Sequence, residues 1–184
     1  MISVLLGSTA VFRGLGALGV RRFATWRSST AHGMAVMLLL TASAHFVPPS
    51  VTVMPTRADM VAMVPPQLPY PELLVYATGV LELAGAAGLV WPRTRRTAAA
   101  CLALLFVLMF PANAYAALND VELAGDPASP LVPRLLEQIL YVGLMGWVAW
   151  PHRSGARSRR EVGANAGTGT GAVTGTGSVS TERV

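Results

Sequence analysis

The stretch VYATGVLELAGAAGLVW, residues 75–91, decides the fold: it is long and apolar enough to lie in lipid, yet Glu82 stands at its middle. A charged side chain at the centre of a membrane span costs about 2.5–3.5 kcal/mol on insertion scales, so such a group is paired, protonated or reached by water. On a helix its own face comprises Thr78, Gly79, Gly85 and Ala86, all small. Small residues let a second helix approach closely, whereas Leu81, Leu83 and Leu89 supply the surface that lipid favours. Glu82 is therefore expected to point into a helical bundle.

Composition carries the same message. Of 184 residues, 53% are hydrophobic and 12% charged, against about 25% charged in ordinary soluble domains. Every basic side chain is arginine. The single cysteine, Cys101, rules out a disulfide framework, a thiolate metal cluster and dithiol redox chemistry within one chain.

A hydrocarbon core needs roughly 20 apolar residues in helical form. Segments B (residues 30–47), C (72–91), D (97–118) and E (131–150) meet that within a few residues. Segment A (2–20) is a fifth, weakened by Arg13 and its glycines, and is read as retained because Arg21 and Arg22 follow its apolar run rather than precede it. The expected fold is all-α: a membrane-embedded four-helix bundle with an additional N-terminal helix, up to five transmembrane helices in all. Residues 1–26 form the N-terminal helix and basic loop, 27–150 the bundle, and 151–184 a disordered tail, basic and then Gly/Thr-rich.

Short cytoplasmic loops collect arginine. Arg21, Arg22 and Arg27 lie between A and B, Arg93, Arg95 and Arg96 between C and D, and Arg153, Arg157, Arg159 and Arg160 after E; the D–E loop holds Asp120, Glu122 and Asp126 and no base. This pattern predicts a multi-pass plasma-membrane protein with a cytoplasmic C-terminus, and an outside N-terminus if A spans. The formal charge of +5 is then a topology signal, with the bilayer as partner and no nucleic acid. The B–C loop has seven prolines between Pro48 and Pro71, but Thr56 followed by Asp59 predicts a capping box and a short helix.

The run AHF ending segment B, then MVPPQLPYPELLVYATGVLELAGAAGLVWPRTRRTAA, then FPANAYAAL, resembles the DoxX and DoxX-like membrane proteins over about residues 27–150. The resemblance implies a four-helix membrane bundle. It also implies a link to quinone-dependent oxidation or to membrane complexes handling oxidative stress, with partner oxidoreductase subunits or a homo-oligomer.

Counting about 1.5 Å per residue places Glu82 roughly 14 Å from the arginine-side end of C and Arg13 roughly 10 Å from that of A, which makes Arg13 the expected ion-pair partner. The alternatives are a protonated Glu82 bonded to a carbonyl or hydroxyl, and an A segment lying on the membrane surface with Arg13 snorkelling. Nearer the outside, His45, Tyr76, Asn113 and Glu137 fall at similar depth, with Tyr141 four residues beyond Glu137. Pro111 removes a donor and frees the Val107 carbonyl beside Asn113. These residues form an expected pocket for a quinone head group or other small molecule. The plainer readings are a histidine capping the end of B, a Glu137–Arg134 interfacial pair, and Tyr76 as a belt aromatic. A metal site of His45 and Glu137 lacks a third ligand. Two function classes follow, a quinone-linked oxidoreductase subunit and a non-catalytic scaffold; a transporter is disfavoured because no repeated halves are present.

Overall fold

The computed structural model describes residues 1–48, 50–51 and 53–151. The tail expected at 151–184 lies, past Pro151, outside the described residues. The elements in order are α1 (Ile2–Ala17), a 3₁₀ turn (Arg21–Phe23), α2 (Trp26–Ser43), α3 (Arg57–Ala62), α4 (Pro71–Val90), α5 (Arg95–Leu118), a hairpin of β1 (Glu122–Leu123) and β2 (Asp126–Pro127), and α6 (Leu131–Ala149). The fold is mostly helical, and α4, α5 and α6 are each long and apolar enough to cross a membrane.

Local chemistry sets the ends. Helix α2 begins one turn before the expected residue 30, because Thr25 Oγ1 accepts from the Ser28 amide at 3.2 Å and caps it there. Helix α1 stops at Ala17, short of residue 20, and hands over to the 3₁₀ turn. The capping box of α3 is formed, with Thr56 and Asp59 each satisfying the other's backbone amide. Pro71 opens α4 at a position where its missing N–H costs nothing.

Helix α2 is the hub. Helices α1 and α4 both pack along it, α5 lies on α4, α6 on α5, and α6 reaches back sparsely to α2. Of the 18 residues of α2, 11 are buried, against 3 of 19 in α6. This explains why α2, the least apolar of the long helices, does not need an apolar exterior. Its polar residues are enclosed and satisfied locally: Ser29 donates to the Phe23 carbonyl at 3.1 Å, and His32 Nδ1 bonds the Ser28 carbonyl at 2.7 Å. The outward faces of α4, α5 and α6 instead carry exposed aliphatics such as Val80, Leu81, Leu104, Leu108, Leu136 and Ile139. Apolar surface of this extent suits lipid better than water.

On α4 the buried residues are Val75, Gly79, Glu82, Ala86 and Leu89, an inward stripe stepping by four, three, four and three. Glu82 faces inward as expected. Leu89, expected on the lipid face, is fully buried, because it lies seven residues from Glu82 and so returns to the same side of the helix.

At one end of the molecule arginines cap helix C-termini. Arg22 Nη2 donates to the Val90 carbonyl at 3.0 Å and Arg95 Nε to the Leu89 carbonyl at 2.8 Å, both closing α4; Arg27 Nη1 donates to the Trp150 carbonyl at 2.8 Å, closing α6. A helix C-terminus presents unpaired carbonyls and the negative end of its dipole, so cations belong there.

Close approach of α1 to α2 depends on Gly33, where any Cβ would overlap Thr9. Gly33→Leu is expected to lower stability in detergent by about 1–3 kcal/mol through overpacking, whereas Gly143→Ala, with nothing near its Cβ position, leaves it unchanged or raises it slightly. Thermal melts of the two variants check this.

Candidate functional site

A cavity of about 580 Å³ occupies the end of the molecule away from the arginine caps, with walls from α2, α4, α5, α6 and the first turn of α1. Its roof is made of loops. Helix α3 is anchored by the Arg57 amide, which donates to the Val47 carbonyl at 3.0 Å. Asp59 Oδ2 accepts from the Thr56 amide at 2.7 Å and, at 3.4 Å, from the Ala124 amide at the hairpin tip. Ala124 and Gly125 have φ of 55° and 85°, the left-handed pair that a two-residue hairpin turn requires. One carboxylate thus ties the roof helix to the α5–α6 connection.

The floor is built around Glu82, 3% exposed. Its Oε2 accepts from Thr41 Oγ1 at 3.0 Å, and its Oε1 lies 3.7 Å from His45 Nε2. His45 is held from behind, its Nδ1 lying 2.8 Å from the Val75 carbonyl. A carbonyl only accepts, so Nδ1 carries hydrogen and Nε2 is left facing Glu82. Gly79 makes room for this imidazole: a Cβ there would come 2.6 Å from His45 Cβ.

The far wall is α5 against α6. Arg134 Nη1 donates to Asn113 Oδ1 at 2.6 Å and Arg134 Nε to the Ser129 carbonyl at 3.2 Å. The Arg134–Glu137 pair anticipated as the plainer reading is not made, and His45–Glu82 is the one contact of ion-pair range among the described residues. Gln138 Nε2 donates to the Phe106 carbonyl. Phe106 is buried, while Val107, whose carbonyl Pro111 leaves without its helical donor, is 52% exposed and turned outward. The Tyr141 ring packs on Phe106 with centroids 6.0 Å apart. Its hydroxyl is buried without a partner among the described residues.

Of the residues expected in a pocket, His45, Asn113, Glu137 and Tyr141 all line this cavity. Tyr76 does not: its hydroxyl accepts from Arg57 Nη1 and its ring meets Phe46. Glu82, assigned to a separate layer, belongs to the cavity floor. The expected Arg13–Glu82 pair is not formed. Arg13 lies 5.4 Å over the Trp26 ring, at the start of α2, whereas Glu82 is level with Thr41, about 22 Å farther along that helix. The expected depths failed because α1 ends at Ala17 and α2 begins at Trp26, which draws Arg13 toward the arginine end.

Thr41, Gln138 and the gathering of methionines at one cavity escaped sequence reasoning. Six of the eight methionines line the cavity: Met1, Met37, Met54, Met60, Met63 and Met109. A partial signal was present, since Met37, Thr41 and His45 recur every four residues and Met60 and Met63 are one turn apart.

A double-mutant cycle reads the floor directly. Thr41→Val and Glu82→Gln are expected to be non-additive by about 1 kcal/mol in detergent stability, while Arg13→Gln and Glu82→Gln add within about 0.5 kcal/mol. Coupling confined to the Arg13 cycle would overturn the observed partnership.

No curated protein and no solved structure matches the chain. Residues 34–150 match the family described as Domain of unknown function (DUF8561), a span that includes every cavity-lining residue except Met1 and Val4. The chain belongs to that family.

Proposed function

We infer that the chain is a multi-pass membrane protein whose cavity holds the head group of a small, membrane-dissolved molecule of the quinone class, as in a membrane subunit of a quinone-linked oxidoreductase complex. In this reading α2, α4, α5 and α6 are a DoxX-like four-helix bundle, α1 is added on the outer face of α2, and the arginine end is cytoplasmic. The resemblance of residues 27–150 to DoxX-like proteins supports it, as do the exposed aliphatic faces of three helices.

The observation that carries the ligand is the Tyr141 hydroxyl, buried with no acceptor among the described residues, in a cavity that combines thioethers and aliphatic groups with a few polar side chains such as Asn113 and Glu137. An unsatisfied buried hydroxyl costs about 1–3 kcal/mol. A quinone carbonyl would accept from it, and a hydroquinone hydroxyl would donate to Glu137, four residues away on the same face of α6. The flexible thioethers of Met37 and Met109 would conform to a flat ring. When bound, such a molecule supplies two-electron chemistry; the residues of this chain orient it and hold protons at the Glu137 and Glu82 carboxylates.

A second reading, a non-catalytic scaffold, is favoured by the Thr41–Glu82–His45 cluster, which is satisfied without any ligand.

Protein extracted in mild detergent should retain quinone. Tyr141→Phe and Glu137→Gln should each reduce retention about tenfold, one hydrogen bond's worth, and Tyr76→Phe should not. Equal retention in all variants, or none in the parent protein, favours the scaffold. Orientation has its own check: in intact cells an impermeant thiol reagent should label Asp126→Cys and spare Arg95→Cys, both built on a Cys101→Ala background.

A further inference from the structure

The roof end of the cavity has a composition that a quinone head group does not use. Met54 stands in the loop before α3, and Met60 and Met63, one helical turn apart, both face the cavity from α3. Helix α3 is pinned at its first residue to the Val47 carbonyl, two residues after His45, and these three methionines line the same cavity as the imidazole. His45 has one feature of a metal-ligating histidine: Nδ1–H is spent on a backbone carbonyl, which fixes the ring and leaves the Nε2 lone pair unspent. Glu82 Oε1, 3.7 Å from that Nε2, offers a countercharge.

No group of three or more His, Cys, Asp or Glu among the described residues could hold a metal ion. A hard or borderline divalent ion therefore lacks donors here. Thioether sulfur is a soft, neutral donor that selects monovalent copper over zinc, magnesium or calcium, and imidazole is compatible with it. We propose that His45 Nε2 and the thioethers of Met54, Met60 and Met63 form a binding site for a soft monovalent metal ion, Cu(I), at the roof of the cavity. Glu82 balances the ion's charge, and the flexible methionine side chains close on it without backbone movement. The site goes beyond the quinone reading: its donors lie in and beside α3 and just past the end of α2, whereas Tyr141 and Glu137 stand on α6.

The experiment is anaerobic titration of the purified full-length protein with Cu(I) against a chromogenic Cu(I) chelator, repeated with Ag(I). One equivalent is expected to bind. The triple variant Met54→Leu, Met60→Leu, Met63→Leu conserves side-chain volume, so it should melt like the parent yet lose about a hundredfold or more in Cu(I) affinity. His45→Gln should lose affinity as well. Met34→Leu with Met145→Leu, both in the core and outside the cavity lining, should bind as the parent does. X-ray absorption of the copper-loaded protein should show sulfur together with one imidazole nitrogen. The proposal is overturned if the parent binds no Cu(I) or Ag(I), if the triple variant binds as tightly as the parent, if the core pair loses as much as the triple variant, or if Zn(II) displaces Cu(I) at equal concentration. Tyr141→Phe separates the two readings, since it should lose quinone and keep copper.

Discussion

The hydrogen bond from Thr41 to Glu82 sets the register of α2 against α4, and the cavity follows from that register. Helix α2 runs only about 3 Å past Thr41, while α4 extends about 16 Å past Glu82 toward its own start. The step between the two helix ends must be filled, and the proline-rich connection fills it with α3 lying over the gap. Gly79 belongs to the same constraint, because it is the residue that lets His45 sit against α4 one turn from the buried carboxylate. Moving the bond by one turn would place the imidazole against a side chain and close the space beneath the roof.

The opposite end is organised by a different rule. Arg22, Arg27 and Arg95 do not form ion pairs there; they bond the terminal carbonyls of α4 and α6. The residues that read as an orientation signal also satisfy backbone acceptors that a helix end cannot satisfy for itself. Arg27 joins α2 to α6, helices that otherwise touch sparsely, and does so at the end away from the cavity.

Polarity in this fold is governed by enclosure. Helix α2 carries Ser28, Ser29, Thr30 and His32 as buried residues because protein surrounds it; Ser28 and Ser29 donate to the Arg22 and Phe23 carbonyls of the preceding 3₁₀ turn, and His32 bonds the Ser28 carbonyl within the helix. Helices α4, α5 and α6 carry aliphatic exteriors because nothing among the described residues covers those faces. A window of hydropathy therefore identifies the three peripheral helices and undervalues the central one, although α2 makes the most extensive set of helix contacts in the molecule.

The sequence by itself determined the helical class, the approximate spans of the long helices, the short capped helix at Thr56, and the inward face of Glu82. All of these depend on local periodicity, capping chemistry and side-chain size. It also singled out four of the cavity residues, His45, Asn113, Glu137 and Tyr141, since each is a polar group that an apolar helix must turn inward. What Glu82 meets was decided by tertiary structure. Depths counted from assumed helix ends place Arg13 level with it, but Thr25 starts α2 a turn early and α1 stops at Ala17, so Arg13 settles over Trp26 while Thr41 takes the carboxylate. The gathering of Met54, Met60 and Met63 at the cavity that His45 also lines is likewise tertiary: in the chain they are apolar residues of a proline-rich connection, and the anchoring of α3 to Val47 brings that connection back to an imidazole whose ring is held by α4.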